Sequence, residues 1–110
     1  MTDTSPILEM PYIQPAQAQK HVTHNEALRL LDAIVQLVVL TDDQNSPPVT
    51  PEEGGCYLVA ENGQAAWAGQ DQNIAIFSDA AWQFIIPKEG WVAQVTGKDS
   101  EVVFDGTVWT

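Results

Sequence analysis

Residues able to carry chemistry are sparse in this 110-residue chain. His21 and His24 form the one pairing that resembles metal ligands. Helical metal pairs more often stand four residues apart and need a third or fourth ligand. A helix starting at Thr23 also leaves His21 outside it, so cap or surface histidines are the simpler reading. Cys56 stands alone inside the apolar run Cys56-Tyr57-Leu58-Val59-Ala60, where a thiol behaves as a small buried hydrophobe. A single cysteine builds neither an intramolecular disulfide nor a cysteine metal cluster. Ser5, Ser46, Ser78 and Ser100 lack the glycine context of a nucleophile elbow, and Gly54-Gly55 does not make a phosphate-cradling loop. The pairs Asp42-Asp43 and Glu52-Glu53 have the chemistry to bind a cation or cleave a glycoside. They sit in proline-rich stretches where solvated charge is the usual role. The expectation is a protein that is not an enzyme, with no cofactor and no metal.

The aromatic residues are the stronger feature. Tyr57, Trp67, Trp82, Trp91, Phe104 and Trp109 all fall in the second half of the chain. In a small domain most such rings belong to the core, because each carries a large share of the buried area. A surface tryptophan beside Asp71 and its neighbours Gln70 and Gln72 would suit stacking on a sugar ring. Trp67, set among Ala and Gly, is the least core-like of them, so Trp67 and Asp71 are the candidate ligand-binding residues.

Composition sets the frame around these residues. Fifteen acids against four bases give a net charge of -11, and Lys20, Arg29, Lys88 and Lys98 are far apart. Nucleic acid and anionic membrane surfaces, which need clustered cations, are excluded as partners. Hydrophobic residues make up 45% and charged residues 17%, the latter below the roughly 25% of an average soluble protein. Disordered acidic chains do not look like this. The length suits one small domain. Residues 1–10 lack a basic start and a long apolar stretch, so no signal peptide is read and synthesis in the cytoplasm is expected.

The elements that must position these residues fall into three zones. Pro6, Pro11 and Pro15 predict an extended arm over residues 1–22. Thr23-His24-Asn25-Glu26 fits a capping box and predicts one long helix over about residues 23–40, halted by Pro47, Pro48 and Pro51. From about residue 55 to 110, short β-prone runs separated by turn signals such as Asn62-Gly63 and Asp105-Gly106 predict a small antiparallel β-meander. The fold class is thus α+β, with residues 23–110 as a single domain behind the arm. Within the helix, His24, Leu28, Leu31, Val35 and Val38 recur at alternating spacings of four and three, one continuous seam. Ala27, Leu30, Ile34 and Leu37 form a second apolar line, and Arg29, Asp32 and Gln36 fill the remainder. Periodicity admits two arrangements: a helix sunk alone in a small core, or a helix with one stripe on its own sheet and the other on a second chain. In the latter the seam is an oligomer interface, and in a symmetric trimer His24 would ring the axis.

A weak echo links Phe77-Ser-Asp-Ala-Ala-Trp82 with Phe104-Asp-Gly-Thr-Val-Trp109, each a Trp packing back over its own turn. Longer signatures carry a resemblance. The run from Gln14 to Asp32, followed in order by Glu53-Gly-Gly-Cys-Tyr-Leu-Val59, Ala66-Trp-Ala-Gly69, Ala81-Trp82, Pro87-Lys-Glu-Gly-Trp91 and the Phe104–Trp109 segment, resembles domain-of-unknown-function family 2793. Such domains occur in phages, prophages and gene transfer agents of alphaproteobacteria, often at the N-terminal end of spike or fibre proteins. The resemblance implies a virion structural protein, a base or adaptor module that forms a homo-oligomer, a trimer, and joins other virion or tail proteins in a virion-like particle. The alternative it leaves open is a module that recognises host surface polysaccharide. The family supplies no catalytic residues to carry over.

Overall fold

In the computed structural model of the protein, residues 4–12 and 20–110 are described, with helix side chains from His24 onward. The chain divides into two compact units, Met1–Gln36 and Leu37–Thr110.

In the first unit, helix α1 covers Lys20–Ile34. The expected long helix is overturned at both ends. Thr23 lies inside the helix and does not cap it. At the other end Val35 N–H makes the last helical bond, to the Leu31 carbonyl at 2.9 Å. Val38 and Val39, read as helix, instead form a strand. Their branched β-carbons lose side-chain freedom in a helix and fit a pleated surface, so a strand partner wins them. The expected extended arm is also corrected where it is described. Thr4 bridges to Pro11, Ser5 N–H donates to the Met10 carbonyl at 2.9 Å and Glu9 N–H to the Ser5 carbonyl at 3.1 Å. Glu9 adopts a φ of 55°, which turns the chain back on itself. Residues 1–3 and 13–19 of that arm lie outside the described residues.

The second unit holds two three-stranded sheets where one meander was expected. Strands β2 (Cys56–Leu58), β3 (Ile74–Ser78) and β4 (Ala81–Ile85) form an antiparallel sheet in that order. Strands β1 (Val38–Val39), β5 (Val92–Val95) and β6 (Glu101–Val103) form the other, ordered β1-β5-β6. β1 pairs parallel with β5, Val38 opposite Gln94 and Val39 opposite Val95. That long-range pairing breaks the meander, and the polar loop between β1 and β2 carries the prolines.

The β3–β4 hairpin turns on Asp79 and Ala80, with φ of 54° and 59°, the left-handed pair that a two-residue hairpin loop demands. An alanine there costs on the order of 1 kcal/mol, which the pairing of five strand residues on each side offsets. Tyr57, Val59, Trp67 and Ala75 form a buried cluster, with Leu40, Trp82 and Phe84 packed against it. On the opposite face of the same sheet Cys56, Leu58, Ile74 and Ile76 are also buried, so β2 and β3 are central to the unit although they read as short runs.

Candidate functional site

Helix α1 presents its sides in an unusual order. Asp32, one of the polar residues between the apolar lines, is 1% exposed. Its carboxylate accepts from the Ser5 hydroxyl at 2.8 Å, the Leu8 N–H at 2.6 Å and the Ile7 N–H at 2.9 Å. Ser5 Oγ in turn accepts the Met10 N–H at 2.9 Å. A buried carboxylate is tolerated when its oxygens are this fully bonded. The Arg29 guanidinium lies 5.4 Å from the centre of the Tyr12 ring, a cation–π contact. Residues 4–12 thus cover Asp32 and meet Arg29, while Gln36 stays exposed.

The apolar stripe is what remains outside. Leu31 is 47% exposed and Val35 51%; His24, Ala27 and Leu30 are exposed, and Leu28 is half-buried. Ile7 and Leu8, at the tip of the Asp32-bound turn, are exposed as well. A surface helix ordinarily does the reverse, putting its apolar residues inward. Contiguous exposed apolar residues mark interaction surfaces. Of the expected seam, Val38 leaves the helix altogether: it is half exposed on β1. His24, Leu28, Leu31 and Val35 stay on one helical face.

The sugar-stacking expectation is corrected in its main residue. Trp67 is fully buried, its ring 5.6 Å from that of Tyr57 and 5.3 Å from that of Trp82. It has no face to offer a sugar. Trp67 ends a 3-10 turn, Ala65–Trp67, inside a loop that Asp71 closes by accepting the Gly63 N–H at 2.8 Å and the Asn62 N–H at 2.9 Å. A β-carbon on Gly63 would collide with the Trp67 carbonyl oxygen, so only glycine lets the loop pass there. The terminal hairpin is anchored to this loop, Trp109 Nε1–H donating to the Gln72 carbonyl at 2.9 Å. The echoed Phe–Trp pairs do meet across their turns, at 5.1 Å for Phe77–Trp82 and 5.3 Å for Phe104–Trp109.

Backbone bonds from Gly63 and then Asn62 hold the Asp71 carboxyl below the usual carboxylate range. Bonds from Val108 and Thr107 do the same for Asp105. Carboxyls lowered in the folded state contribute stability above their unfolded value, near about 4, and lose it as pH falls through the folded value. Urea midpoints should therefore fall below about pH 4, and fall less in a double Asp71→Asn, Asp105→Asn variant. Identical acid limbs in parent and variant would contradict this role.

Sequence reasoning missed Asp32 as an anchor, along with Ser5 and Tyr12. The available signal was local: Ser-Pro favours turn initiation, and Asp32 is an acid set between two apolar lines of a helix. Among the described residues no three His, Cys, Asp or Glu side chains come together as metal ligands.

The family model described as "Protein of unknown function (DUF2793)" matches residues 24–110. No curated protein matches the chain.

Proposed function

The chain belongs to the DUF2793 family, and from that premise we propose that it is a non-enzymatic structural module, the base or adaptor of a phage-like or gene transfer agent spike or fibre, which assembles as a homotrimer through the apolar face of α1. The observation that carries the reading is the inverted helix: a polar side satisfied within the protomer and an apolar side left in water. His24, Leu28, Leu31 and Val35 supply the seam, with Ile7 and Leu8 as further apolar contact. Fifteen helical residues are too few for an independent coiled coil, so these added contacts matter. The net charge of -11 keeps such a module soluble before it meets its partners, which are further copies of itself and the other proteins of a virion-like particle.

Leu31→Asp tests the interface. A carboxylate at a desolvated symmetry axis costs several kcal/mol per ion, so the variant should sediment as a smaller species while its far-ultraviolet circular dichroism stays that of the parent. The same sedimentation coefficient before and after the substitution would remove Leu31 from any interface.

A further inference from the structure

The open edge of the β2-β3-β4 sheet carries a second contact surface, independent of the helix. In an antiparallel sheet the N–H and C=O of one residue point to the same side, and the sides alternate along the strand. Phe77 N–H donates to the Gly55 carbonyl, and the Phe77 carbonyl accepts from Gly54, so the Phe77 backbone faces β2. Ile74, Ile76 and Ser78 therefore face β4, where they pair with Ile85, Gln83 and Ala81. The backbone groups of Trp82 and Phe84 point the other way, to the free edge. Among the described residues no backbone bond reaches them.

The outer sides of β2 and β6 are occupied. The outer side of β2 is taken by Leu40, whose N–H donates to the Cys56 carbonyl at 2.8 Å, and by Thr41, whose carbonyl accepts from Leu58 N–H at 3.0 Å. The outer side of β6 is taken by Thr110, which exchanges bonds with Val103 at 3.0 and 3.1 Å. Proteins guard an open edge with charge, proline or a bulge. β4, Ala-Trp-Gln-Phe-Ile, has none of these within it.

We propose that β4 pairs antiparallel with β4 of a second copy about a two-fold axis at Gln83. Trp82 then lies opposite the Phe84 of the other copy, and each of the two gives and takes a backbone bond across the axis. Their rings share the sheet face that packs on the aromatic cluster, so an aromatic cross-strand pair forms twice, each contributing roughly 0.2–1 kcal/mol. Charge selects this direction. The hairpin end of β4 is acidic, with the Glu53 carboxylate bonded to Asp79 N–H, while the far end leads to the net-neutral pair Lys88-Glu89. Antiparallel pairing sets each acidic end beside the other copy's neutral Lys88-Glu89 end; a parallel pairing would set the two acidic ends together. Five residues of edge bury less than the roughly 1,200 Å² of a stable interface. The contact is therefore weak alone and effective where many copies are concentrated.

Gln83→Cys reads the pairing directly. A residue on the axis faces its own copy at about 4.5 Å between α-carbons, within disulfide reach, and the native Cys56 is buried. The experiment is run in a Leu31→Asp background, so that failure of the helix interface leaves it interpretable. Under mild oxidation at high protein concentration the Gln83→Cys chain should form a reducible covalent dimer, and a Gln94→Cys chain should not. Equal cross-linking of the two, or none at position 83, would overturn the proposal. Without any cysteine, amide exchange of Trp82 and Phe84 should slow with concentration in the Leu31→Asp chain. Gln83→Lys, which sets like charges opposite each other, should abolish that slowing; exchange independent of concentration in the Leu31→Asp chain would also overturn it.

Discussion

Trp67→Ala should cost about 3–5 kcal/mol, the range for truncating a buried aromatic residue. A domain of this kind has only about 5–15 kcal/mol in all, so the variant should be partly unfolded or close to it. Trp67 is fully buried and lies edge-on to Trp82 and tilted against Tyr57; removing it empties the centre of the buried cluster. Its loss also undoes the reason for the loop from Asn62 to Asp71, which exists to insert this ring. Trp67→Phe separates packing from polarity. The Trp67 Nε1–H is buried with no hydrogen-bond partner among the described residues, and an orphan donor of this kind costs about 1–3 kcal/mol. Phenylalanine leaves a smaller void and removes that donor, so it should cost far less than alanine. Urea denaturation of the three proteins checks both statements, and equal midpoints for Phe and Ala would show that the indole nitrogen finds a partner.

Asp32→Ala should release residues 4–12 from the helix. It leaves the Ser5 hydroxyl and the Ile7 and Leu8 N–H groups without their acceptor. Hydrogen bonds to a charged group are worth about 1.5–3 kcal/mol each, though not additively. A loss of roughly 2–4 kcal/mol would raise the amide exchange rates of Ile7 and Leu8 by more than about tenfold. Asp32→Asn keeps one acceptor oxygen and should show a smaller effect. Because Asp32 lies in the first unit and Trp67 in the second, exchange in β2 and β3 should hardly change. Unaltered exchange at Ile7 and Leu8 would show that the turn holds itself closed through its own backbone and Ser5 bonds, without Asp32.

The strand runs after residue 55 were legible, though not their division into two sheets, because their signals are local. β-prone runs bounded by turn signals such as Asn-Gly and Asp-Gly marked them, and the two Phe–Trp pairs meet across their turns. What was not legible depended on distant partners. Val38 and Val39 continue the helical seam on paper, yet β5, more than fifty residues away, captures them into a parallel pair. Trp67 looked exposed because its immediate neighbours are small; those small neighbours instead let the loop fold tightly enough to bury it. Asp32 looked like a solvated residue of the polar stripe, since nothing in a helical wheel announces that Ser5 and two backbone amides will arrive to cover it. Of the seam, which rests only on helical period, His24, Leu28 and Leu31 lie within α1, Val35 directly follows it and Val38 lies on β1.

Those covered polar residues and uncovered apolar ones are why a second copy of the chain is the partner proposed for α1. Light-scattering mass at tens of micromolar protein tests this most directly. The expected result is three times the 12.0 kDa chain mass, falling on Leu31→Asp; the 12.0 kDa of a single chain at high micromolar concentration, unmoved by that substitution, would contradict it.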